Sequence, residues 1–128
     1  MKNLILIVCL LFTIQAHTQV TFRVREVIIS KLNKETKEFH IVQTSQPDNM
    51  TLMVFGNLFT VTNKAKSNYR IFDQPIKRTT YDYRENEWQC TDDENIRCRL
   101  ALIRYNNGKT IIFITYSDIL IAYEIENI

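Results

Sequence analysis

Apolar residues in this chain recur mainly at every second position, in short runs separated by polar turns. That spacing suits strands, whose successive side chains point to opposite faces. Val20 to Lys31 opens with Phe22 and Val24 set against Arg23 and Arg25, and its phase slips near Glu26, which predicts a bulge. Phe39 to Thr44, Leu52 to Phe55, Leu58 to Thr62 and Tyr69 to Phe72 are further runs of strand-forming residues. The Gly56-Asn57 pair predicts a hairpin between two of them.

Thr79, Tyr81 and Tyr83 alternate with Thr80, Asp82 and Arg84. The alternation is clearest further on, where Ile96, Cys98, Leu100 and Leu102 interleave with Arg97, Arg99, Ala101 and Ile103. Asn107-Gly108 then supplies a second hairpin signal before Ile111 to Tyr116. Ser117-Asp118 interrupts the run, and Ile119 to Ile125 can be read two ways. Ser117 is a candidate helix cap, but position 120 carries Leu rather than the Glu of a capping box, and the segment is Ile-rich. Strand is the better reading. The pattern as a whole predicts an all-β fold: one small antiparallel barrel or sandwich of about eight strands, over residues 19–128.

The first residues follow a different rule. Lys2-Asn3 precedes an apolar run from Leu4 to Ile14, followed by the polar, small-residue stretch Gln15 to Thr18. That order is the signature of a secretory signal peptide over residues 1–18. About eleven apolar residues are too few to span a bilayer, so no transmembrane segment is expected in the mature chain. Cys9 falls inside the run. Its removal leaves Cys90 and Cys98, an even pair in an exported chain, which predicts a disulfide closing the polar loop Thr91 to Arg97. Periplasm or extracellular space is the expected location.

Composition narrows the function classes. The formal charge is +2, and Lys and Arg alternate along the chain with Asp and Glu instead of clustering. A nucleic-acid partner is not expected. Only two glycines are present, and asparagine is placed to take over at turns. There is no phosphate-cradling glycine loop, no nucleophile elbow and no Cys-x-x-Cys motif, and His40 is the one histidine after position 17. No catalytic residues, cofactor or metal are therefore expected. Asp92, Asp93 and Glu94 lack the alternate spacing and the glycine of a calcium loop. Asn49-Met50-Thr51 matches a glycosylation triplet and is read as chance.

Aromatics offer the remaining signal. Tyr81, Tyr83 and Trp88 lie just before the cysteine pair; with Asp92, Asp93 and Glu94 they form a candidate binding surface. Packing over the sheet is the competing role for these rings, and Trp88 is the first choice for it. The segment Trp88-Gln89-Cys90-Thr91-Asp92, followed by Cys98, Tyr116-Ser117-Asp118 and Tyr123, resembles small exported proteins common in Bacteroidetes. In those proteins a glycine often occupies the turn between the cysteines, where this chain has Asp93-Glu94-Asn95. The resemblance implies a periplasmic or exported β protein and brings no catalytic residues. The function expected is a non-enzymatic binding or accessory protein of the cell envelope, with a protein or glycan as partner. The alternatives are an inhibitor of an exogenous hydrolase, such as a lysozyme or protease, and a carrier of a small apolar ligand in a β-barrel.

Overall fold

The structure, a computed structural model, describes residues 19–126. The signal peptide expected over residues 1–18, with Cys9, lies outside them. The strands are β1 (Gln19–Leu32), β2 (Phe39–Ser45), β3 (Thr51–Phe55), β4 (Leu58–Thr62) and β5 (Lys66–Ile71). They continue with β6 (Ile76–Thr79), β7 (Tyr83–Thr91), β8 (Arg97–Tyr105), β9 (Thr110–Thr115) and β10 (Ile119–Ile125). The all-β, antiparallel expectation holds, with ten strands instead of about eight. Ile119–Ile125 is a strand, as its Ile-rich composition favours.

Pairing runs β10-β9-β8-β7-β5-β4-β3-β1-β2, and β10 also pairs with β1, so the ladder returns to its start. The long β1 makes this possible. Its first part pairs with β3, and its later part has β2 on one edge and β10 on the other. A register shift between Val24 and Glu26 separates the two parts, where the sequence slips phase. The result is not a clean barrel. β5 meets β7 through only Arg70↔Thr91 and Ile71↔Cys90, while β2 and β6 lie off the closed path.

β6 and β7 are the strands the sequence hides. β6 is exposed along its whole length, and β7 carries Glu85, Asn86 and Glu87 in mid-strand. The alternation over Thr79 to Arg84 is a strand end, a turn and a strand start. The Thr80 hydroxyl accepts hydrogen bonds there from the amides of Asp82 and Tyr83, 3.3 and 3.2 Å.

Register carries one continuous inner face around the ladder. Leu52 faces Val61 and Phe22; Phe59 faces Tyr69; Ile71 faces Cys90. Trp88, Leu100, Ile114 and Ile121 continue it across β7 to β10, and Ile29 on β1 completes it. The core occupies this face: Leu52, Phe59 and Ile114 are at most 1 % exposed. Each such side chain contributes about 1.5–3 kcal/mol of apolar burial. Positions between them, such as Arg97, Arg99 and Ala101 on β8, point outward as the alternation requires.

Turn chemistry fixes the register. Gly56 has φ 60 and Asn57 has no positive φ, the arrangement of a two-residue hairpin with glycine first. After Tyr105, Gly108 takes φ 91 and its amide donates to the Tyr105 carbonyl at 3.0 Å. Asn95, at φ 61, adopts the left-handed conformation in the turn between the cysteines, so it does there what a glycine would do.

Candidate functional site

Residues Asp73 to Pro75 decide where the fold opens. β5 and β6 pair with the same edge of β7, β5 at Cys90 and Thr91, and β6 from Glu87 to Arg84. Pro75 has no amide to give to the ladder, and the chain bows away between the two strands. Beneath this bow lies a cavity of about 310 Å³. Its deepest wall is the buried trio Phe59, Leu100 and Ile112. Phe22, Val54, Ile71, Trp88 and Leu102 form its sides, and Gly56, Asn57, Asp73, Gln74 and Pro75 its lip. The lining is overwhelmingly apolar. A volume of this size falls at the small end of ligand sites, and such sites combine apolar walls with a few polar groups at the rim.

A second arrangement occupies the opposite end of β7. Asp92 ties the β7–β8 turn together: its carboxylate accepts from the amides of Glu94 and Ile96, both 2.9 Å, and from the Tyr116 hydroxyl at 2.8 Å. Burial opposes its ionisation, but these bonds prevail and hold the carboxyl below its ordinary value. Burial, then the bond to Asp92, pushes the Tyr116 hydroxyl up; burial is also the first cause of the upward shifts of Tyr69 and Tyr123. Asp93 accepts from the Asn68 amide at 3.0 Å, which joins the same turn to β5. This is a rigid polar corner. The Asp92 and Asp93 carboxylates are occupied by the protein itself, and the exposed Glu94 carboxylate faces solvent.

Cys90 and Cys98 are opposed on β7 and β8, both buried, with sulfurs 3.1 Å apart. They are two thiols and not the expected disulfide, whose sulfurs lie about 2.05 Å apart. Each thiol also lies near the other's carbonyl oxygen, 3.4 and 3.7 Å away, a geometry in which both sulfurs turn toward the opposite backbone. The facing sulfur and burial push the Cys90 thiol up.

The six residues grouped as a binding surface do not come together. Tyr81 sits in the β6–β7 turn, 94 % exposed. Tyr83 is on the outer face of β7 against Tyr105, ring centroids 5.8 Å apart. Trp88 faces inward and lines the cavity, while Asp92, Asp93 and Glu94 belong to the far turn. Trp88 lies five positions after Tyr83 on β7, an odd offset that puts the two on opposite faces. The apolar cavity residues besides Trp88 carried no signal beyond standing at core positions, and Gly56-Asn57 on the lip signalled only a turn. Among the described residues, no group of three or more His, Cys, Asp or Glu is placed to hold a metal, and no helix is long and apolar enough to cross a membrane. Comparison with protein-family models, curated proteins and solved structures finds no match for this chain.

Proposed function

We propose that this chain is exported and that its mature domain is a binding protein for a small apolar molecule, held in the cavity beneath Asp73 to Pro75. The cavity itself is the observation that carries the reading. A ring of about eight strands is just wide enough to fill with side chains or to admit one small ligand. Here Phe22, Ile71, Trp88 and Leu102 leave space between them where β5 gives way to β6 along the edge of β7. The composition of residues 1–18 and the resemblance to exported Bacteroidetes proteins support the destination. In an oxidising compartment Cys90 and Cys98 would join as a disulfide and brace the end of the domain opposite the mouth.

Native mass spectrometry with decanol tests this reading. A one-to-one complex is expected for the parent chain, and Val54→Phe, which adds bulk at the wall, should abolish it while leaving the domain folded. Binding that is undiminished in the Val54→Phe variant would place the ligand elsewhere and remove the proposal.

A second reading rests on β2. All seven of its residues are exposed, including Phe39, Ile41 and Val42, and among the described residues no strand pairs with its outer edge. A strand edge of this kind can accept an extended segment of an envelope protein. Ile41→Lys should weaken capture of such a partner and leave decanol binding intact; an unchanged partner profile would discard this reading.

A further inference from the structure

Arg84 and Arg104 are directly opposed across β7 and β8. Their register places them on the inner face, on the same side of the strands as Trp88, Leu100 and Leu102. They stand outside the cavity lining, two residues beyond Asn86 and Leu102 and about 7 Å further along the strands toward the β6–β7 turn. Both side chains are exposed, so water screens much of their repulsion, but like charges directly opposite one another remain mildly unfavourable in a sheet. Among the described residues no acidic side chain pairs with either of them. The ion pairs among the described residues engage Arg23, Arg78, Arg99 and Lys109, and neither Arg84 nor Arg104 takes part.

Asp82, two residues before Arg84, makes no ion pair with either arginine, and the acids within β7 face away from them. Glu85 and Glu87 alternate to the outer face of β7, where they pair with Arg78 and Arg99. Lys77, opposed to Asn86 on β6, adds a third cation on the inner side, also without an ion pair. Asp73 is the one acid on the cavity lip; it comes from the β5–β6 bow, and its carboxylate accepts from the Gln74 amide at 2.7 Å.

We propose that the ligand of the cavity is an amphiphile with an anionic, carboxylate-type head, and that Arg84 and Arg104 receive this head while the apolar body lies against Trp88 and Leu102. The assignment rests on the cavity reading above and adds the chemistry of the ligand's polar end. Two guanidinium groups present planar donors suited to a carboxylate, which would also relieve their mutual repulsion. At roughly 30 Å³ per methylene-sized unit, the cavity accommodates a chain of about ten carbons.

Trp88 is the sole tryptophan, so its fluorescence reports on the cavity wall without interference. Decanoate, decanol and decylamine, each below its micellar concentration at neutral pH, share one tail and differ in head charge. Decanoate should bind about tenfold or more tighter than decanol, and decylamine weakest. In the Arg84→Gln/Arg104→Gln double variant, decanoate should fall to the affinity of decanol, with decanol unchanged. Circular dichroism confirms the fold, and the single Arg104→Gln variant should show an intermediate loss. Tightest binding of decylamine would move the head to Asp73 and overturn the assignment, as would a decanoate advantage that survives in the double variant, or equal affinity for all three. If none of the three binds, decanol included, the cavity reading fails and the assignment falls with it.

Discussion

The sulfurs of Cys90 and Cys98 stand 3.1 Å apart on directly opposed residues of β7 and β8, buried under Tyr69 and Tyr116 at the closed end of the domain. A small rotation about each Cα–Cβ bond separates this pair of thiols from a covalent bridge. Oxidation of the folded protein should therefore proceed without unfolding. The bridged form should weigh two hydrogens less and resist alkylation, and it should be more stable by about 2–3 kcal/mol in the chain-entropy account of a short closed loop. Denaturant melts with and without reductant check this, with Cys90→Ser insensitive to reductant.

Asp92 holds the turn that follows β7. Asp92→Ala removes acceptors for two amides and the Tyr116 hydroxyl and should cost roughly 1–3 kcal/mol at pH 7. The pH dependence follows from the direction of the shift. The carboxyl is held below its ordinary value, so its stabilisation is complete above about pH 4 and is lost as pH falls through the lowered value. The gap between parent and variant should thus narrow below about pH 4; a constant gap would show that the ionised form is not what the turn requires.

Two leucines on the inner face should respond differently to truncation. Leu52 is 0 % exposed and packed on all sides, so Leu52→Ala should cost about 3–5 kcal/mol. Leu102 borders a cavity and lacks neighbours on that side, so Leu102→Ala should cost less, about 1–2 kcal/mol. Equal losses in thermal or denaturant melts would indicate that the space beside Leu102 is filled in solution.

Much of this architecture was legible as alternation. The phase slip near Glu26 is a true register shift, both hairpin signals mark real turns, β8 follows its alternation of Leu and Arg, and β10 is the strand its Ile-rich composition favours. β7 was obscure because its outward positions carry ion-paired glutamates and its inward positions at the mouth carry Asn86 and Arg84, so both faces look polar. The cavity was not legible at all. Empty space is a property of how Phe22, Ile71 and Leu102 fail to meet, and their sequence positions are those of ordinary core residues. Asparagine was only partly understood. Asn95 is the single asparagine with a positive φ among the described residues, whereas Asn33 and Asn107 shape turns by accepting amide hydrogen bonds with their side chains.

That distinction can be measured. Asn95 and Lys37 both hold left-handed backbone, φ 61 and 59. Glycine at either position should be neutral or stabilising by up to about 1 kcal/mol, and Asn95→Val should destabilise by about 1–2 kcal/mol. Asn107→Gly should instead lose the hydrogen bond to the Lys109 amide without any relief of strain. Thermal melts of these four variants separate the two roles.

The most direct measurement is methyl NMR of the isotopically labelled domain as decanol is added. Saturable shifts should concentrate at Val54, Ile71, Leu100, Leu102 and Ile112, with the outward methyls of Ile41, Ile103 and Leu120 unmoved. Shifts confined to the outward set, or no saturable shift anywhere, would contradict a ligand inside the ladder.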